Sequence, residues 1–344
     1  MGIKVIIENK IPFIKGLLDK ICDVSYLAPE DITADALRDT DALITRTRTR
    51  CDASLLDGSR CRFIATATIG TDHIDLEYCR RHGITVANAP GCNAPAVAQY
   101  VLSSIAYWHK QSHSNRPLQS LTIGIVGVGH VGSIVERWAK QLGMKTIACD
   151  PPRADIECTG NFVSLDEIAR NSDIVTFHTP LTRNGKYPTH HICDKLFLDK
   201  TLRSPLVINC ARGGIADTTA LINALDNGVV ADAVIDCWEG EPAISTELLK
   251  RAIVATPHIA GYSREGKIRA TSMAVQAFTR HFQLPTVDVI EKVPSGAARK
   301  VTWETISTSY SPQNDTLALK SSPTAFEALR NTYNYRPEVV ISCE

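Results

Sequence analysis

The chain has no surplus of charge of either sign: 37 lysines and arginines balance 37 aspartates and glutamates over 344 residues, a formal net charge of +0. That balance removes the electrostatic case for a nucleic acid or an anionic membrane as partner, because both are drawn to basic patches. No apolar run reaches the roughly 18–20 residues that span a bilayer. The opening stretch MGIKVIIENK sets charges among its apolar residues and has no secretory leader core. Cysteines are plentiful but unpatterned: the 11, at 22, 51, 61, 79, 92, 149, 158, 193, 210, 237 and 343, contain no C-x-x-C. An odd count without a secretion signal reads as reduced thiols in a cytoplasmic protein. His190, His191 and Cys193 lack a second ligand pair at zinc spacing, so no metal is expected.

What is present centres on Leu121–Asp150, LTIGIVGVGHVGSIVERWAKQLGMKTIACD. An apolar strand pattern meets Gly127-x-Gly129-x-x-Gly132, His130 and Val131 open a helical segment, and a second apolar run ends on Asp150, 18 residues past the last glycine. Alone, the glycine spacing is weak; with a strand before, a helix after and the acid in place, it reads as a dinucleotide fingerprint. The first glycine permits the tight turn, the second lets backbone approach a pyrophosphate, and the third lets helix pack on strand, with the helix N-terminus facing the phosphates. Asp150 is placed to accept from ribose hydroxyls and repel a 2′-phosphate, which selects NAD over NADP, although Arg153 follows closely.

Length and an ordinary globular composition (44% hydrophobic, 22% charged) suit two domains. Residues 1–95 alternate short apolar strands (IKVIIE, DVSYL, DALIT, RFIATA, ITVANA) with helical patterns at PFIKGLLDKI and DLEYCRRHG. A long helix over 94–112 leads into a second alternation, with strands expected at 122–126, 145–149, 173–178, 205–209, 232–235 and 252–256. The expected fold is α/β: two Rossmann-like or flavodoxin-like parallel-sheet domains with a catalytic cleft between them. The first, substrate-binding domain (1–95) is completed by a helix at 263–284, the NAD-binding domain spans 96–262, and 285–344 is a C-terminal appendage and candidate dimerisation region.

Ligands of parallel sheets bind beyond the carboxyl ends of the strands. After the apolar runs of the second domain come Thr179, then Cys210-Ala211-Arg212, then Asp236 with Glu241, then His258 with Gly261 and Tyr262. Arg, Glu and His on three successive strand ends fit hydride chemistry on a 2-hydroxy acid. His258 takes the hydroxyl proton, Glu241 orients the ring and stabilises imidazolium, and Arg212 forks onto the carboxylate. Singly, each has an ordinary turn or loop alternative; together, behind a dinucleotide fingerprint, the catalytic reading wins. Asp236 either binds at the nicotinamide end or serves as a buried N-cap, and Thr179 either touches the cofactor or serves the turn before Pro180. In the first domain, Thr45–Arg50 alternates threonine with arginine at strand period, and Thr66–His73 sets hydroxyls around Gly70. Arg46 and Arg48 gain a use there if the substrate carries a phosphate.

The combination GVGHVG with Asp150, NCARGG, DCWEGEP and TPHIAGY resembles the D-isomer-specific 2-hydroxyacid dehydrogenases over roughly residues 1–282. TATIGTDHID, APGCNA, CDPPRAD, TFHTPLT and TPHIAGYSREGK resemble a branch that oxidises a phosphorylated 2-hydroxy acid on the route to pyridoxal phosphate. The resemblance implies Arg212 and Glu241 as active-site residues and His258 as the proton donor in the reductive direction. It implies substrate contacts at Thr47, Thr68 and Tyr262, and NAD contacts at Asp150, Thr179, Cys210, Ala211, Arg212, Asp236 and Gly261. It also implies a homodimer, although the short tail is hard to match. Two rival readings are a D-3-phosphoglycerate dehydrogenase and a non-enzymatic NAD-sensing protein of the same fold.

Overall fold

Short apolar segments pair into two all-parallel sheets in the computed structural model, which describes residues 2–158, 161–289 and 300–339. Among these, one unit takes the described residues of Met1–Asn93 and Ser263–Ser295, the other those of Ala94–Tyr262 and Gly296–Glu344.

The first unit holds β1 (Lys4–Glu8), β2 (Asp23–Leu27), β3 (Ala42–Thr45), β4 (Phe63–Thr66) and β5 (Thr85–Ala87), in the order β2-β1-β3-β4-β5. Every residue of β3 and β4 is buried, as parallel strands covered on both faces require. Helix Arg264–His281 returns to this unit, and Ala274, Val275 and Phe278 join Val5, Ile7, Ile44 and Phe63 in one core. The Phe278 ring packs edge-on to Phe63 at 6.1 Å between centroids; truncating such a buried ring to alanine costs about 3–5 kcal/mol.

The second unit holds β6 (Thr122–Val126), β7 (Lys145–Cys149), β8 (Ile174–Phe177), β9 (Leu206–Asn209), β10 (Asp232–Ile235) and β11 (Val254–Ala255). Its order, β11-β10-β9-β8-β6-β7, reverses direction between β6 and β8. In an open α/β sheet that reversal opens the crevice where ligands bind. Helix Ala94–Gln111 is buried along most of its length and packs against helix His130–Gln141 and helix Trp303–Ser309.

Two expectations change. PFIKGLLDKI forms turns instead of a helix: Phe13 and Gly16 adopt φ of 62° and 83°, and Ile11, Ile14, Leu17 and Leu18 reach the core through tight turns. The threonine–arginine alternation stops being a strand at Thr45, because the buried Glu8 carboxylate gathers Thr45 Oγ1 (3.0 Å), Arg46 N (2.9 Å) and Thr49 Oγ1 (3.2 Å) into a bend. The described part of the tail packs on the second unit. Ile306 and Tyr310 enter one core of the second unit, Leu319 and Phe326 the other, and helix Gln313–Ser321 packs on β11. Of the 11 cysteines, Cys343 lies outside the described residues; the other ten are free thiols.

Candidate active site

The loop after β6 assigns each glycine a separate task. Gly127 sits at φ 86°, and a Cβ there would lie 2.9 Å from the His178 carbonyl. A Cβ on Gly132 would lie 2.1 Å from the Gly127 carbonyl oxygen, so strand and helix touch at that point. Among the described residues a Cβ on Gly129 would meet nothing within 4 Å, and no side chain caps the helix that begins at His130, with Val131 in its first turn. Room at the second glycine and uncapped N–H groups behind it are what a pyrophosphate needs. Asp150, at the end of β7, accepts from Val128 N at 2.7 Å and from Arg153 N at 3.2 Å. Arg153 donates to Val128 O at 2.6 Å and to Glu157 at 2.6 Å, and lies over the Phe162 ring, so its charge is engaged within the chain.

Across the reversal, β8 leads into His178 and Thr179. Burial pushes the His178 imidazole down to about 3, keeping it neutral beside Thr176 Oγ1 at 3.0 Å. Thr179 Oγ1 is buried with no hydrogen-bond partner among the described residues, an orphaned hydroxyl on the same side as the glycine loop.

Asn209 ends β9 and ties the next two loops together. Its Nδ2 donates to Arg212 O (2.9 Å) and Cys237 O (3.2 Å), and its Oδ1 accepts from Ala211 N (3.2 Å). A Cβ on Gly213 would fall 1.9 Å from Trp238 O, so only glycine lets the Arg212 loop close on the loop after β10. Arg212 is half-buried and donates from Nη1 to Ala211 O at 2.9 Å. Burial drives the Cys210 thiol well above its ordinary value.

Glu241 Oε1 accepts from Trp238 N at 2.7 Å, while Oε2 lies 2.8 Å from His258 Nδ1. Burial alone would raise the Glu241 pKa, but the hydrogen bond and charge of His258, the Trp238 N–H and the charge of Arg330 outweigh it and leave it lowered. An ionised carboxylate only accepts, so His258 carries its proton on Nδ1 and presents Nε2 as a base.

The His258 turn is gripped from two sides. His258 itself adopts φ 56°, and its N–H donates to Asp236 O. The buried Asp236 carboxylate takes Thr256 Oγ1 (2.6 Å), Ile259 N (2.7 Å) and Ala260 N (3.0 Å), and so pins the turn after β11. Opposite it, Arg336 from the tail donates to Ile259 O (3.0 Å), Tyr262 O (3.3 Å), Ala96 O (3.0 Å) and Ala260 O, with its guanidinium 4.7 Å from the Tyr310 ring. Gly261 lies within this turn, and the Tyr262 hydroxyl accepts from Arg330 Nε at 3.1 Å.

In the first unit, Glu8 pins the bend that carries Arg46 and the exposed Thr47. Thr66 Oγ1 reaches Arg46 O at 2.9 Å and Thr68 Oγ1 at 2.8 Å, and Thr68 donates to Gly70 O at 3.1 Å, so these residues form one hydrogen-bonded set. Among the described residues two His–carboxylate groupings bring donor atoms within 4.8 Å of one another: His190, His191 and Glu239, and Cys237, Glu241 and His258. Each contains a direct His–carboxylate hydrogen bond, 2.5 Å for His191 to Glu239 and 2.8 Å for His258 to Glu241.

The NAD-binding domain family of the D-isomer specific 2-hydroxyacid dehydrogenases matches residues 94–260. Over 339 residues the chain is 48% identical to the erythronate-4-phosphate dehydrogenase of Bacteroides thetaiotaomicron, covering 97% of each chain. The chain belongs to the erythronate-4-phosphate dehydrogenase family. A member from Escherichia coli is 40% identical over 294 residues, 85% of this chain and 77% of that one. Among solved structures, the D-lactate dehydrogenase of Aquifex aeolicus complexed with NAD and lactic acid has a TM-score of 0.67 at 25% identity, covering 81% of this chain and 96% of that one. The erythronate-4-phosphate dehydrogenase family is NAD-dependent, and the open Gly129, the uncapped helix and the orphaned Thr179 hydroxyl fit that cofactor. Asn209, Glu8, Arg330 and Arg336 went unnoticed in the sequence. Only the two arginines left a signal there, as the sole arginines between Lys300 and Val339, flanking the pair Tyr333 and Tyr335.

Proposed function

We propose that the chain oxidises 4-phospho-D-erythronate at C2 to (R)-3-hydroxy-2-oxo-4-phosphooxybutanoate, with NAD as oxidant, on the route to pyridoxal 5′-phosphate. The observation that carries the chemistry is the 2.8 Å contact between His258 Nδ1 and Glu241, which leaves Nε2 as the base. The substrate follows from the relatives at 48% and 40% identity. Bound NAD supplies the hydride acceptor. His258 Nε2 takes the C2 hydroxyl proton as the C2–H bond gives up its hydride, so the alcohol is oxidised by two electrons and its proton rests on the imidazole. Glu241 holds the ring and stabilises the imidazolium. Arg212 forks onto the carboxylate and polarises the oxygen that becomes the carbonyl.

Thr47, Thr68, Tyr262, Arg46 and Gly70 are the proposed substrate contacts. Gly127, Gly129, His130, Val131, Gly132, Asp150, Thr179, Cys210, Ala211, Arg212, Asp236 and Gly261 are the proposed NAD contacts. Asp236 combines that contact with its hold on the turn after β11. We infer a homodimer in the cytoplasm, supported by the family resemblance and by ten free thiols. No helix among the described residues is long and apolar enough to cross a membrane. Light scattering at a single chain mass would contradict the dimer.

Assay of the purified protein with NAD and a panel of acids tests the activity. 4-Phospho-D-erythronate should give the highest kcat/KM by NADH absorbance. Faster turnover of 3-phospho-D-glycerate would replace this reading with the phosphoglycerate one. NAD binding without turnover of any acid would favour a sensing protein.

A further inference from the structure

The tail helix Phe326–Asn331 ends its last turn with Arg330, whose place in the site no sequence motif marks. Phe326 is fully buried and Leu329 packs on the same core, so the helix presents Arg330 from a rigid base. The Arg330 side chain is only 21% exposed. Its Nε donates to the Tyr262 hydroxyl at 3.1 Å, fixing the guanidinium plane four residues beyond His258. Among the described residues the one carboxylate in ion-pair range is Glu327, with Nη1 to Oε1 at 3.5 Å. That is long beside the roughly 2.7–2.9 Å of a charge-assisted bond. Among the described residues Nη2 has no acceptor. A largely buried guanidinium so loosely paired inside the protein is built to finish its pairing with an anion from outside. Arg212, on the end of β9, already serves one anionic end of the substrate in the mechanism above.

We propose that Arg330 is a substrate contact that binds the phosphate, so that the C-terminal segment sets the preference for a phosphorylated over an unphosphorylated 2-hydroxy acid. This deepens the proposed function and rests on its phosphorylated substrate. Its position at Tyr262 agrees: a tyrosine held by the same guanidinium and a planar fork of N–H donors are suited to one phosphate group. The Arg330 charge also reaches Glu241, where it favours the ionised carboxylate, so the group lies at the reacting end of the second unit.

The test compares kcat/KM for 4-phospho-D-erythronate and D-erythronate in the full-length wild type, Arg330→Met and Arg330→Lys. Loss of one charge-assisted fork should lower the phosphorylated-to-unphosphorylated ratio about 30- to 100-fold in Arg330→Met, mainly through KM. Lysine keeps a point charge and should recover most of it. A ratio unchanged within about three-fold, with both substrates slowed alike, would reduce Arg330 to a support for Tyr262 and overturn the proposal. If wild type ignores 4-phospho-D-erythronate, the function reading fails separately, and the ratio is read on 3-phospho-D-glycerate and D-glycerate. Binding of inorganic phosphate to the NAD-loaded protein gives the comparison without turnover. There Arg330→Met should weaken phosphate about ten-fold or more, and equal affinity would overturn the assignment.

Discussion

Glu241→Gln isolates the electrostatic half of the proposed proton-transfer pair. The amide keeps the shape of the side chain, and one oxygen can still accept from Trp238 N. Its NH2 then faces His258 Nδ1, so the imidazole must accept at Nδ1 and carry its proton on Nε2, where the hydroxyl proton has to arrive. Turning the amide over restores the tautomer but points NH2 at the Trp238 N–H, leaving that donor unpaired. In the proposed mechanism the carboxylate also stabilises the imidazolium. With the atoms 2.8 Å apart, charge centres about 4 Å apart and an effective dielectric of about 20, the attraction is about 4 kcal/mol, or about 10³ in rate. The side chains are 27% and 20% exposed, so screening trims that, and kcat should fall about 10²- to 10³-fold. NAD affinity should hold, because the glycine loop and Asp150 are untouched. Initial rates of NADH formation at saturating substrate, NAD titration by fluorescence and a thermal melt separate these effects. A kcat within about three-fold of wild type, with the fold intact, would refute the role given to Glu241.

Other consequences follow from individual contacts. Gly129→Ala should leave the melting temperature in place and weaken NAD about ten-fold or more, because its Cβ meets only open space. Gly132→Ala should destabilise the fold, its Cβ falling 2.1 Å from Gly127 O; the reverse pattern in melts and NAD titrations would contradict the division of labour in the loop. Arg336→Met removes the cation that holds four carbonyls of and around the His258 turn. It should lower kcat about ten-fold or more with NAD affinity kept, and an unchanged kcat would show that Asp236 holds the turn alone. Asp173 is buried: burial raises its pKa, but Arg116, the Thr122 N–H and Arg203 outweigh that and leave it lowered. The stabilisation it gives is therefore complete above its unfolded value of about 3.9 and lost as pH falls through the folded value. Asp173→Asn should be less stable near neutrality and flatten the fall of urea-measured stability below about pH 4; an unchanged slope would contradict it.

The strand ends were legible because chemistry-bearing residues directly follow buried apolar runs. The Gly127 turn, the Asn209 to Arg212 loop and the Glu241–His258 pair all lie at such ends in the structure. Spacing misled where two geometries share it. Ile11, Ile14 and Leu18 have helical intervals, yet turns at Phe13 and Gly16 bury them equally well. The alternation from Thr45 promised a strand, but Glu8, distant in sequence, competes for its donors and bends it. The tail resisted for a third reason. Ile306, Tyr310, Leu319 and Phe326 are sparse among serines and threonines and make sense only against faces supplied by residues far upstream. Arg336 likewise finds carbonyls some 75 positions earlier, a partnership that no local pattern reveals.

The most direct measurement follows the hydrogen on C2. With 4-phospho-D-erythronate deuterated at C2 and NAD, the wild type should yield NADH carrying the deuterium, and His258→Ala should lose nearly all of that transfer while still binding NAD. NADH without deuterium, no NADH at all, or full transfer in His258→Ala would contradict hydride removal from C2 driven by the His258–Glu241 pair.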